Sequence, residues 1–167
     1  MVWLGSQQAS ASFAEVFSLR PNLYADYQQF IDVFWEQELL APELMELCRL
    51  RVAQLHQCQP ELNRRYWQAK ASGLDEDKIQ RLSLWYKDEC FSAAERACLH
   101  LAELFVTDPH AISDEDASKA TAFIGDEGLV ALMEVLAMFD GFCRFQLILG
   151  IGTGDSQELI MVGGKDD

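Results

Sequence analysis

The sequence predicts an all-α fold, and three observations predict it. Apolar residues recur three and four positions apart almost throughout the 167 residues, which is the spacing of one helix face. Proline and glycine fall where such runs begin or end. No alternating pattern of convincing strand length appears before the final segment.

The elements follow in order. Phe13, Val16 and Phe17 predict a short opening turn, closed at Arg20-Pro21, and from Asn22 the set Leu23, Tyr27, Phe30, Ile31, Phe34 and Trp35 shares one face. Pro42 suits a first helical position, where its missing amide costs nothing. Leu44, Leu47, Cys48, Val52 and Leu55 carry that helix to an end near Cys58. Pro60 opens another, through Leu62, Tyr66 and Ala69, stopped at Gly73. Asp75 caps a run containing Ile79, Leu82 and Trp85. Ser92-Ala93-Ala94-Glu95 has the spacing of a capping box, in which the Ser oxygen and the Glu carboxylate each take a free amide. Leu99, Ala102, Phe105 and Val106 follow it.

After Asp108-Pro109, Ser113 begins an acidic helix that breaks at Gly125. Residues 129–151 are apolar on most sides, interrupted by Glu134, Asp140, Arg144 and Gln146. Such a helix is central or is covered by a subunit partner. The expected division is one helical domain over residues 1–151 and a Gly-rich acidic tail over 152–167, frayed except for a possible strand from Leu159 to Val162.

The charge narrows the partners. With 27 acidic and 13 basic side chains the chain carries −14, and a polyanion needs Lys and Arg to replace its counterions. Nucleic acid and anionic membranes are therefore not expected as partners. No window approaches the roughly 18 apolar residues that span a bilayer. The opening Met1-Val2-Trp3-Leu4-Gly5-Ser6 lacks the basic region of a secretory leader, so a cytoplasmic location is expected. Five cysteines with no close pair argue against a disulfide scaffold, and three scattered histidines against a metal site. No cofactor is expected.

The segment Glu46-Leu47-Cys48-Arg49-Leu50-Arg51-Val52-Ala53-Gln54-Leu55-His56-Gln57-Cys58 resembles the carboxymuconolactone decarboxylase and alkylhydroperoxidase D-like (AhpD-like) superfamily. There a Glu precedes the first Cys of a CxxC by twelve residues, the spacing of Glu46 and Cys58. Ala71-Ser72-Gly73-Leu74 and Phe91-Ser92-x-x-Glu95-Arg96 also resemble family features, and the likeness runs from about Phe13 to Ile151. It implies a helical bundle of the AhpD-like type, assembled as a homo-oligomer, a trimer or a hexamer, and thiol-dependent reduction of small peroxides. Two departures weaken that activity: Glu61 stands at the second Cys and Arg65 at the family His. A lone thiol cannot close the motif disulfide, and arginine is no base near neutral pH. Glu61 through Arg65 is also similar to the Glu-x-x-x-His of the decarboxylases, with Arg65 replacing His. In Asp140-Gly141-Phe142-Cys143-Arg144, which resembles a family segment ending in Asn-Arg, Cys143 takes the Asn position.

The candidate catalytic residues are Cys58, Glu46, Glu61 and Arg65. A thiol just before a helix starting near Pro60 would feel free amides and a positive dipole end, which favour the attacking thiolate. Arg64 or Arg65 would add to this if turned toward the sulfur. The competing reading is a packed, inert Cys58. Glu46 has apolar neighbours, so an inward carboxylate serving as a proton relay competes with a surface Glu paired to Arg49 or Arg51. Glu61 and Arg65 have ion-pair spacing on one helix. The sharper reading gives Arg65 a substrate carboxylate and Glu61 a proton. Three residues are auxiliary. His56 replaces the missing base if the helix ends before Cys58. Cys143 is a substitute resolving thiol, or a small side chain filling a gap. Arg144 belongs to the same segment. His100 reads as a core or interface histidine. Three function classes remain open: a peroxide-reducing thiol enzyme, an acid–base enzyme on a small carboxylated compound, and a non-catalytic binding or assembly protein.

Overall fold

The computed structural model describes residues 12–152 and 158–160. Eight helices dominate them: α1 Phe13–Phe17, α2 Pro21–Glu36, α3 Pro42–His56, α4 Gln59–Leu62, α5 Trp67–Ala71, α6 Glu76–Gln80, α7 Ala93–Thr107 and α8 Asp114–Leu149. Two three-residue strands, β1 Arg64–Tyr66 and β2 Glu158–Ile160, add a parallel ladder. The fold is all-α, as expected.

α3, α7 and α8 pack against one another and form the centre. α3 is buried over nearly its whole length, from Leu44 through Leu50 and again at Val52 and Ala53. α7 contributes Cys98, Leu99, Leu101 and Ala102, and α8 contributes Leu132, Val135, Leu136, Phe139 and Cys143. Pro21 and Pro42 sit in the first turns of α2 and α3, where the fixed φ suits helix entry. Ser92 and Glu95 form the expected capping box of α7, and Lys78 Nζ reaches the same Glu95 carboxylate at 2.6 Å. Ser113 caps α8 in the same way with Asp116. The expected break at Gly125 is a kink inside α8, with φ 70° and ψ 175°, a conformation nearly closed to other residues.

Two expectations need correction. On α2 only Ile31, Phe34 and Trp35 are buried, while Leu23 and Phe30 are 49% and 53% exposed. The single helix expected from Pro60 to Gly73 is divided into α4, β1 and α5. Arg64, Arg65 and Tyr66 are extended because their backbone pairs with Glu158, Leu159 and Ile160. A partner that distant in sequence overrides a local helical period. The strand foreseen around Leu159 does form over Glu158–Ile160; Val162 and the rest of the tail beyond Gly152 lie outside the described residues.

α1 and α2 close over the C-terminal half of α8 through rings. Phe17 lies 5.3 Å from Phe145 and 5.1 Å from Tyr27, and Tyr27 lies 4.7 Å from Phe142, centroid to centroid. Val16 and Ile151 complete this second, smaller cluster. Among the described residues, no helix is long and apolar enough to cross a membrane.

Candidate functional site

A fully buried arginine organises the site. Arg49 projects from α3 and grips Glu46, one turn earlier, with Nε to Oε2 at 2.6 Å and Nη2 to Oε1 at 2.8 Å. Its Nη1 donates to Glu61 Oε2 at 3.0 Å and to the Glu61 carbonyl at 2.9 Å, and Nη2 to the Arg64 carbonyl at 2.9 Å. The guanidinium also lies over the rings of Tyr66 (5.2 Å) and Phe139 (5.6 Å). Glu61 receives two more donors on Oε1, Arg64 Nη1 at 2.9 Å and Gln146 Nε2 at 2.5 Å. Two carboxylates thus face two guanidiniums, so a buried cluster that would otherwise be costly is balanced in charge and in hydrogen bonds. The carboxylates hold the Arg49 guanidinium charged more firmly than burial opposes it.

One acceptor stays open. Gln146 Oε1 is buried and has no partner among the described residues. Its amide orientation is fixed by Glu61, because only the NH2 end can donate to a carboxylate. The carbonyl end therefore offers a hydrogen-bond site to a small molecule carrying an O–H.

Glu61 links this cluster to the thiols. Cys58 is the residue before α4 and is fully buried, as is Cys143 on α8. The Cys58 thiol donates to the Cys143 carbonyl at 3.9 Å, which sets the two cysteines against each other. That contact is the main reason the Cys58 thiol ionises more readily than usual. Burial opposes it, while the Glu61 amide and the Arg64 charge assist. Cys58 is the N-cap residue of α4, and the free amide expected there is that of Glu61; a helix of four residues adds little dipole beyond it. The same contact, with burial, pushes the Cys143 thiol far above its ordinary value. The pair gives up one proton early and holds the second.

The turn that presents Cys58 is strained. Gln57, the C-cap of α3, adopts φ 53° and ψ 35°, the left-handed region that disfavours side chains. His56 ends the helix just before it, and its Nε2 meets Asp140 Oδ1 at 2.6 Å. Arg144 Nε reaches Asp140 Oδ2 at 2.9 Å. Burial works to raise the Asp140 carboxyl, but hydrogen bonds from Arg144 and His56 outweigh it and hold the group low. Asp140, Cys143 and Arg144 share a short stretch of α8, so the His56 pair sits beside the thiol pair.

The remaining candidates are placed as follows. Glu46 points inward, as the sharper reading expected, but both its oxygens are held by Arg49. Arg65 does not pair with Glu61; β1 turns it to Glu76, at 2.8 and 3.0 Å. With Glu46, Tyr66, Lys70, Leu74 and Ile79 it lines a cavity of about 480 Å³ that does not reach Cys58. His100 is half-exposed at 3.3 Å from Asp116, an outward position rather than the core. Sequence reasoning missed Arg49, Gln146 and Asp140 as members of the site. A usable signal was present for the first: Glu46 and Arg49 lie one turn apart among the apolar Leu44, Met45, Leu47, Cys48 and Leu50, so the two enter the core together or not at all.

The fold has counterparts among known proteins. Across the solved structures, the chain is similar to a crystal structure of a protein of unknown function from Agrobacterium tumefaciens, described as a candidate antioxidant defence protein AhpD. The identity is 18%, the TM-score 0.71, and the match covers 83% of this chain and 95% of that one. At that identity the likeness concerns the fold. No curated protein matches. The model of the carboxymuconolactone decarboxylase family matches residues 21–104, half of the chain and the part that holds Glu46, Arg49, Cys58 and Glu61. The chain belongs to the carboxymuconolactone decarboxylase family.

Proposed function

We propose that the protein reduces hydroperoxides through the Cys58 thiol. The observation that carries this reading is the surroundings of that sulfur: a second thiol, a backbone amide and an arginine favour its anion despite complete burial. Thiolate is the form that attacks peroxide oxygen. Attack on the terminal oxygen breaks the O–O bond, forms Cys58 sulfenic acid and releases an alcohol or water once the leaving oxygen takes a proton. Gln146 Oε1, an acceptor without a partner, suits the O–H of the entering peroxide or the leaving product.

Burial restricts the substrate. With no exposed surface on Cys58, the path favours hydrogen peroxide or a short alkyl hydroperoxide, admitted by movement of the aromatic cluster of α1 and α2. The test is peroxide consumption by the reduced protein with an external dithiol donor. Cys58→Ser removes the activity in this reading. A variant consuming peroxide at the wild-type rate rejects it.

A second reading rests on the cavity against Glu46. Arg65 and Lys70 line it beside Glu46, an arrangement suited to a small carboxylated compound in an acid–base enzyme or a binding protein. Calorimetric titration with small aromatic and lactone carboxylates separates the two: saturable binding abolished by Lys70→Glu supports it, and no heat at millimolar ligand removes it.

We also propose that the chain assembles with copies of itself. Phe30, Val33 and Leu39 near the end of α2 and Val130 of α8 are exposed apolar side chains, and a groove of about 130 Å³ runs between Phe30, Val33, Ala131 and Val135. Contiguous apolar surface of this kind marks an interface. Light scattering at low micromolar concentration checks it, and a stable monomer rejects it.

A further inference from the structure

The two halves of the site come from segments 85 residues apart, yet the Cys58 thiol donates to the Cys143 carbonyl at 3.9 Å. Both side chains are fully buried, so a thiol of the same chain already beside Cys58 meets its oxidised sulfur ahead of one arriving from solvent. Glu61, which stands three residues after Cys58, is a carboxylate held by Arg49, Arg64 and Gln146 and offers no sulfur chemistry. Of the other cysteines, Cys48 and Cys98 lie within electrostatic reach of each other and of Glu95, away from this cluster. Cys90 sits beside Asp88.

From this juxtaposition we propose that Cys143 is the resolving thiol of Cys58, so that peroxide oxidation ends in a Cys58–Cys143 disulfide bridging the α4 turn and α8. The proposal rests on the reading of Cys58 as the attacking thiol. A hydroperoxide oxidises the Cys58 thiolate by two electrons to the sulfenic acid and is itself reduced to the alcohol. The Cys143 sulfur then attacks the Cys58 sulfur. The S–O bond breaks, the S–S bond forms, and the hydroxide leaves as water with the proton that Cys143 gives up. An external dithiol restores both thiols by exchange and leaves as its own disulfide. The contact of the Cys58 thiol with the Cys143 carbonyl holds the two residues together before the oxidant arrives, so the second step needs little reorganisation. It also protects Cys58, because a sulfenic acid captured at once is not carried on to the irreversible sulfinic acid.

The experiment treats reduced wild-type protein with one equivalent of hydrogen peroxide, blocks free thiols with iodoacetamide in denaturant and maps the peptides by mass spectrometry. The expected result is the loss of two thiols per chain, a Cys58 peptide joined to a Cys143 peptide, and full reversal by dithiothreitol. In Cys143→Ser the hydroxyl keeps a donor beside Cys58, so the first oxidation persists, is trapped by dimedone and runs on to sulfinic acid, while turnover with dithiol donor falls to background. Cys143→Ala, which also removes the donor beside Cys58, forms the same products more slowly and serves if the serine variant folds poorly. Wild-type protein with sulfenic or sulfinic acid on Cys58 and an alkylated Cys143 overturns the resolving role and leaves the peroxidase reading standing. An unmodified Cys58 overturns the reading and the resolving role together.

Discussion

Cys48 on α3 and Cys98 on α7 are buried near each other in apolar packing, and Cys58 and Cys143 are buried against each other where the α4 turn meets α8. Both pairs are closed to solvent. Burial pushes Cys48 well up and Cys98 to about 11, with nearby negative charge adding to it. At Cys58 a neighbouring thiol, an amide and Arg64 reverse the outcome. Among the described residues Cys58 is the one cysteine drawn down rather than up. The depth of a thiol therefore says little about its reactivity; the donors around it decide. Those donors exist because Arg49 and Glu61 hold the loop after α3 against α8.

The largest effect expected breaks that support. Arg49→Met leaves Glu46 and Glu61 buried without their shared cation, a loss on the order of 3–5 kcal/mol. Lys119→Met is the control: it and its partner Glu115 are exposed, and such pairs are worth at most about 1 kcal/mol. Urea unfolding of both variants measures the difference. Equal losses would mean that the Arg49 cluster adds nothing beyond an ordinary surface pair.

The apolar pair should make the protein sensitive to alkali. Cys98 ionises near 9.0 when unfolded and at about 11 when folded. The unfolded chain thus releases its proton first, and stability is intact below pH 9 and lost as pH rises toward 11. The magnitude approaches about 2 kcal/mol for such a shift. Cys58 has the opposite sign: its lowered folded value contributes stability at high pH that fades as pH falls through that value. Denaturant midpoints between pH 8 and 11 for wild type and Cys98→Ala check this, with a flatter profile expected in the variant. Parallel profiles would place the alkaline loss elsewhere.

A smaller and more selective difference concerns labelling. With a small thiosulfonate reagent, Cys58 should react fastest of the buried thiols, its rate rising with pH through a midpoint below 9, while Cys48 and Cys98 wait for alkali or unfolding. The rate ratio near pH 7.5 is expected to be on the order of tenfold or more, because the thiolate is the reactive form. Mass mapping at short times reads it directly. Labelling of Cys48 ahead of Cys58 would invert the comparison.

Much of the frame was legible in the sequence for local reasons. Pro21, Pro42, the Ser92–Glu95 box and Gly125 act through their own backbone, so their positions alone mark helix ends. The interruption at β1 was not legible, because its cause is a pairing with Glu158–Ile160. The site divides in the same way. The Cys58 and Glu46 spacing marked the region, and a role for Cys143 came from its place in a segment. The partners of Glu61 did not: spacing suggested Arg65, whereas the fold supplies Arg49, Arg64 and Gln146 from three different segments. A helix-surface rule has no force where the helix has ended.

The smallest effect expected tests the turn that presents Cys58. Gln57 holds a left-handed backbone with φ 53° so that its amide can close on the Ala53 and Gln54 carbonyls while Cys58 N bonds to the Ala53 carbonyl at 2.9 Å. That closure ends α3 and swings the chain toward α8. A side chain there costs about 1 kcal/mol relative to glycine. Part of this is offset by the greater freedom glycine brings to the unfolded state. Gln57→Gly is therefore expected to raise stability by about 0.5 kcal/mol, visible as a small increase in the urea midpoint with no change in slope. It should leave the Cys58 pH profile unmoved, because the thiol's donors come from α4, β1 and α8 and not from Gln57. A gain in stability accompanied by a slower, higher-pH Cys58 would show that the strained turn sets the thiol's position as well as the helix end. The reactive pair would then depend on backbone strain in a way the apolar pair, seated on two regular helices, does not.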